Sequence, residues 1–153
     1  MTVRDDTRAV REASIGWWLQ RLTGRLDRAM TARLAPFGIN LGAFAVMMTV
    51  LEHGPLTQTE IGRRFGMAPY AISRAIDALE RQGYVTRGAH AGSRRAHSIA
   101  ATQAGLALAP QLHAIVREVN DALCAPLKEP ERTQFAALLA KLLANGPAPD
   151  EPC

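Results

Sequence analysis

Apolar residues recur at spacings of three and four along most of the chain, and the places where that rhythm stops divide it into helices. From about Arg8 to Leu34 one stripe runs through Ile15, Trp18, Leu19, Leu22, Leu26, Ala29 and Met30, and Pro36 and Gly38 end it. Leu41–Glu52 is apolar on nearly every side (Phe44, Val46, Met47, Met48, Val50, Leu51), which predicts a buried helix. His53-Gly54-Pro55 stops it, with Gly54 suited to the left-handed C-terminal position.

Thr57 then opens a third helix. Its hydroxyl can accept an orphan backbone N–H, and Glu60, three residues on, completes a capping box. Ile61 and Phe65 are expected to face inward, and Gly66 to make a turn. A fourth helix is predicted from about Ala68 to Gln82, with Ile72, Ala75, Ile76 and Leu79 as its core stripe and Gly83 as its stop. Two short helices joined by a tight turn are the pattern of a helix-turn-helix, in which the second helix reads duplex DNA. Two strand-like pieces follow, Tyr84–Arg87 and Arg95–Ala100, around Gly88-Ala-His-Ala-Gly-Ser-Arg94. A glycine-flanked hairpin in that place is a wing.

Thr102 caps a long helix with an apolar side of Leu106, Leu108, Leu112, Ile115, Val116, Val119 and Leu123; Pro110 falls within it and Pro126 closes it. Pro130 suits the first turn of a last helix through Phe135, Leu138, Leu139, Leu142 and Leu143 to Asn145-Gly146, and Pro147–Cys153 reads as an unstructured tail. The terminal stripes exceed what a small winged domain can cover. That surplus predicts that the N- and C-terminal helices interlock with a second copy. The expected fold is mostly α with a β wing: a winged helix-turn-helix lobe over 55–100, dimerisation helices over 8–53 and 102–145, one domain over 1–145, and a disordered 146–153.

Charge supports a polyanion partner. Residues 57–97 hold seven arginines against three acids, as much net positive charge as the whole chain carries at +4. A solubilising surface has the same composition, so charge alone leaves both open. No apolar run approaches the roughly 18 residues of a membrane span. Met1–Glu12 lacks the apolar core of a signal peptide, which points to the cytoplasm. Two cysteines, Cys124 and Cys153, make neither a metal site nor a disulfide framework, and Cys124 reads as a buried, inert thiol. The four histidines, 53, 90, 97 and 113, are scattered, and no serine or cysteine sits in a nucleophile context. No enzyme, cofactor or metal is expected.

At this point the chain resembles the MarR family of bacterial transcriptional regulators over roughly residues 10–145. The carrying pieces are Gly54-Pro-Leu-Thr-Gln-Thr-Glu-Ile-Gly, Ile72-Ser-Arg-Ala-Ile-Asp-Ala-Leu-Glu-Arg-Gln-Gly-Tyr-Val-Thr-Arg87 and Ser93-Arg-Arg-Ala-His-Ser-Ile-Ala-Ala-Thr-Gln-Ala-Gly105. The resemblance implies a homodimeric regulator that binds a pseudo-palindromic operator, often to repress, and releases it on binding a small ligand, often an aromatic acid. Three places depart from the family pattern. Ser93-Arg94-Arg95 stands for Asp-Arg-Arg in the wing, Ala101-Thr102 stands for Leu-Thr, and Ala68-Pro69-Tyr70-Ala71 opens the reading helix in place of small hydroxylated or amide residues.

The first turns of a major-groove helix face base edges, which selects Pro69, Tyr70, Ser73 and Arg74. Tyr70 suits a thymine methyl or a phosphate. Arg74 suits guanine or a phosphate, and family position favours the phosphate. Thr57, Gln58 and Thr59 open a helix whose positive end suits a phosphate. Arg63 and Arg64 read as solvated or ion-paired. Neighbouring strand residues point to opposite faces; by the family's pattern Arg94 goes to the minor groove and Arg95 to a structural ion pair. An aromatic acid effector would meet Trp17 and Arg21, with His53 as a further candidate. Two rival readings are a winged protein-interaction module without DNA and a regulator switched by cysteine oxidation.

Overall fold

The computed structural model describes residues 2–145, apart from the side chains of His90, Ser93 to Ala96 and Asn145; the tail that was expected to be disordered lies outside the described residues. Among the described residues, seven helices and a small sheet follow one another as α1 (Val3–Ala13), α2 (Ile15–Leu34), a 3-10 turn (Ala35–Phe37), α3 (Leu41–His53), β1 (Leu56–Thr57), α4 (Gln58–Phe65), α5 (Pro69–Arg81), β2 (Val85–His90), β3 (Ser93–Ala101), α6 (Gln103–Cys124) and α7 (Glu129–Asn145). The mostly helical winged fold is as expected.

One predicted helix is two. The stripe from Arg8 to Leu34 breaks at Ser14, which is extended (φ −81°, ψ 111°), and helix begins already at Val3. The Ser14 side chain accepts the Trp17 N–H, so it starts a new helix rather than continuing the old one. The Trp18 indole donates to the Glu12 carbonyl at 3.0 Å, and the Arg11 guanidinium sits 5.6 Å over the Trp17 ring. Both contacts hold the elbow. Trp18, read as part of the inward stripe, is half exposed.

Residues from α2, α3, α5 and α6 close a single core around Leu34, Val46, Met47, Ile72, Ile76, Leu79 and Leu112, each fully buried. α3 lies at its centre because it is apolar nearly all round. Ile61 of α4 joins this core, but Phe65 does not: it is 43% exposed, a correction to its inward assignment. It occupies the last position before Gly66, whose left-handed backbone (φ 59°) turns the chain toward α5.

The sheet has the order β1-β3-β2, antiparallel throughout. The short β1 edge was not anticipated; two residues carry no periodicity. The wing strands reach further than the glycine-flanked loop suggested, leaving only Ala91 and Gly92 between them. Gly83 (φ 76°) ends α5 in a left-handed turn, with the Tyr84 N–H bonded to the Leu79 carbonyl. The same stretch joins the lobe to α6. Thr102 Oγ1 donates to the Gly83 carbonyl at 2.6 Å, Tyr84 Oη donates to Phe37 at 3.2 Å, and Gly105 lies so close that a Cβ there would collide with the Tyr84 carbonyl.

Candidate nucleic-acid interface

The capping box that starts α4 is complete. Thr57 Oγ1 accepts the Glu60 N–H at 3.3 Å, and the Glu60 carboxylate accepts the Thr57 N–H at 2.7 Å. Gln58, the next residue, reaches across to α5, where its Nε2 donates to the Pro69 carbonyl at 3.1 Å. Gln58, Thr59, Arg63, Met67, Pro69 and Ile72 line a cleft of about 620 Å³ between the two helix starts. The structure thus brings Gln58 and Thr59 beside Pro69, as the two-helix motif requires.

α5 has two unlike faces. Ile72, Ile76 and Leu79 are locked into the core, while Tyr70 is 71% exposed and Arg74 also faces solvent; Ser73 is half-buried between them. Tyr70, Arg74 and Arg81 also line a groove of about 500 Å³ with Thr31 and Asn40. No acid pairs with Arg74 among the described residues. A guanidinium without a counter-charge and an exposed phenol on a buried-backed helix can meet a polyanion without first breaking contacts of their own.

The wing is fixed to this helix by a residue that sequence reasoning passed over. Arg87 of β2 pairs with Asp77, 2.5 Å away, and with Glu80, both on α5. Partial burial works against the Arg87 charge, but the hydrogen bond to Asp77 and the fields of Glu80 and Asp77 outweigh it and raise its pKa above the ordinary value. The signal was present: Asp77 and Glu80 are three apart on the helix, hence neighbours on one face, and an arginine follows on the adjoining strand. The side chains of Arg94 and Arg95 lie outside the described residues, so the roles expected for them are not placed. Arg63 faces solvent, and Arg64 Nη1 donates to His53 Nε2 at 3.1 Å.

Trp17 lines an apolar groove of about 630 Å³ with Val3, Thr7, Val10, Arg11 and Ser14, and Arg21, one turn further along α2, is not among its lining residues. His53 lies with Arg64 and Glu52 at the end of α3. Cys124, expected buried, is half-buried and free. Among the described residues no three His, Cys, Asp or Glu side chains are grouped for a metal, and no single helix is long and apolar enough to cross a membrane.

The MarR family profile matches residues 37–96, the span from the end of the 3-10 turn through most of the wing. The HTH-type transcriptional repressor Rv2887 of Mycobacterium tuberculosis is 30% identical over 131 residues, 86% of this chain and 94% of that protein. A MarR transcriptional regulator from Methanosarcina mazei has the same fold, with a TM-score of 0.80 at 23% identity over 86% of this chain and 88% of its own. The solved complex of Rv2887 with DNA matches with a TM-score of 0.71 at 28% identity, over 85% of this chain and 98% of that one. Likeness that runs through the two-helix motif, the wing and the flanking helices settles the assignment: the chain belongs to the MarR family, whose regulators are DNA-binding transcription factors and not enzymes.

Proposed function

We propose that the protein is a cytoplasmic, homodimeric repressor that binds a pseudo-palindromic operator through α5 and the wing. The observation that carries this is the unlike pair of faces on α5: one buried in the core, the other presenting Tyr70 and Arg74, which no acid pairs among the described residues. The relative Rv2887 is named a repressor and was solved with DNA, which supports the same reading. In it, Pro69, Tyr70, Ser73 and Arg74 enter the major groove. Thr57, Gln58 and Thr59 lie at the phosphate backbone, Arg94 reaches the minor groove, and Arg95 holds the wing.

The second copy is supported by the chain ends. α1 has no buried residue, and Leu138, Leu142 and Leu143 of α7 are 60%, 59% and 86% exposed. One domain over 1–145 then works as two lobes. Residues 55–100 read DNA, and the helices of 8–53 and 102–145 set the distance between two such readers. Release by a small aromatic acid is the regulatory half of the proposal. Its best support is the aromatic–cation pair of Trp17 and Arg11, with Arg21 one turn along the same helix and His53 as a further candidate at the end of α3. Such a ligand acts only by preferring the DNA-incompetent spacing of the two lobes.

The test is selection of bound duplexes from a random pool, followed by anisotropy titration of the winning sequence. An inverted repeat with half-sites about one helical turn apart is expected. Binding with no sequence preference, or none at all, overturns the reading.

A further inference from the structure

The reading helix differs from its neighbours at its first residue. α1, α2, α3, α4 and α6 each begin on Thr2, Ser14, Asn40, Thr57 or Thr102, whose side-chain oxygen accepts a backbone N–H of the first turn. α5 begins on Ala68, which has no such oxygen. Substituting a capping side chain by alanine costs a helix of this kind about 1 kcal/mol, so a start on Ala68 leaves α5 free to fray at the turn that carries Pro69 and Tyr70. Among the described residues, the one side-chain hydrogen bond at that turn comes from another helix, from Gln58 Nε2 to the Pro69 carbonyl at 3.1 Å. Gln58 sits in an ordered turn, because it is the first helical residue inside the Thr57–Glu60 capping box.

We propose that Gln58 is a positioning residue: its amide clamps the Pro69 carbonyl to the ordered start of α4, steadies the uncapped first turn of α5, and so sets the angle at which Tyr70 meets DNA. This departs from a direct phosphate contact for Gln58 and rests on the DNA-binding reading only for its second measurement. The amide that holds Pro69 is spent on protein. Loss of Gln58 therefore loosens every base contact of the first turn together, rather than one.

Amide hydrogen exchange of the full-length protein without DNA gives the first measurement. In Gln58→Leu, exchange at Ala71 and Ile72, whose N–H groups bond the Ala68 carbonyl at 2.9 and 3.2 Å, is expected to accelerate about fivefold, the worth of one net hydrogen bond. Ala68→Ser in the Gln58→Leu background supplies a local cap and is expected to restore the slow exchange. Unchanged exchange in Gln58→Leu, or acceleration that Ala68→Ser leaves in place, overturns the proposal, whether or not the protein binds DNA. The second measurement is selection from a random duplex pool. Gln58→Leu is expected to flatten preference at all base pairs read by the first turn while the salt slope stays the same. Loss of preference at one base pair alone, or a weakening that is the same for all duplexes and leaves the preference intact, makes Gln58 a direct DNA contact and overturns the proposal.

Discussion

The reading lobe and the chain ends are built to opposite standards. In the lobe, α5 and the sheet bury Ile72, Ile76, Leu79, Val85 and Ile99 almost completely within one copy, closed by Val46 and Met47 of α3. At the ends, α1 has no buried residue, and α7 leaves Leu138, Leu142 and Leu143 in solvent. An isolated helix of α1's 11 residues is marginal in water, so the ends are helices waiting for a cover. The difference teaches that the lobe buries its apolar residues within one copy, whereas the ends leave in solvent the faces that the proposed second copy would cover.

The sharpest way to break this division is at its seam. Gly105 lies where α6 crosses the start of the wing, and a Cβ there would meet the Tyr84 carbonyl and stand 2.9 Å from Met47 Cε. The backbone oxygen has no rotamer to yield. Gly105→Val is therefore expected to destabilise the whole lobe by about 3 kcal/mol, the upper part of the usual overpacking range. Urea denaturation followed by circular dichroism measures it. A change below about 0.5 kcal/mol would mean that the seam is pliable and that the two regions are not rigidly joined.

The next largest effect separates the regions. Leu138→Glu with Leu142→Glu places two charges on the exposed apolar face of α7. Each leucine is worth roughly 1.5–3 kcal/mol when fully buried, so the dimer is expected to weaken at least ~100-fold. Sedimentation velocity reads the dissociation, and the urea midpoint of the lobe core is expected to stay in place. A dimer that survives both substitutions places the interface elsewhere.

How legible these regions were in the sequence follows the same division. Periodicity gave the lobe nearly whole: the Thr57–Glu60 capping box, the stripe of Ile72, Ala75, Ile76 and Leu79, and the cap at Thr102 all stand where the pattern placed them. What it missed depends on contacts distant in sequence. Gln58 meets Pro69 across a turn, Arg87 meets Asp77 and Glu80 across a strand, and β1 exists only because Leu56 pairs with Ile99. At the N-terminal end the stripe misled, because Ser14 caps a helix in the middle of a run that otherwise reads as continuous. The contact of Arg11 with the Trp17 ring was missed for the same reason, since only the elbow brings α1 beside Trp17.

A smaller effect tests the lobe as a reader. Arg74→Ala removes an exposed charge that no acid pairs among the described residues, and leaves the core face of α5 intact. Operator affinity is expected to fall about tenfold, near the lower end of what one good base or phosphate contact supplies. Arg94→Ala is expected to weaken binding to all duplexes alike and to lower the salt slope by about one. Anisotropy titrations at several salt concentrations distinguish the two. An Arg74→Ala protein of unchanged affinity would remove α5 from the groove.

The smallest effect lies in α1 and asks what holds it. Thr2 and Asp5 form its capping box: Asp5 accepts Thr2 Oγ1 at 2.6 Å and the Thr2 N–H at 3.1 Å. The side-chain hydrogen bond first, and the backbone bond second, lower the Asp5 pKa from its ordinary 3.8. The unfolded helix then binds its proton at the higher pH. The stabilisation from this box is thus present above about pH 3.8 and is lost as pH falls through the depressed value. Asp5→Asn removes that dependence and is the reference for it. If α1 is held only by its own cap and elbow, the difference in amide exchange between the two proteins across this window is the same at every protein concentration. If a second copy covers Val3 and Val10, the difference is expected to shrink at concentrations where the dimer is full and to reappear on dilution. An amplitude independent of concentration would leave α1 outside the interface and assign the pairing of two readers to α2, α6 and α7.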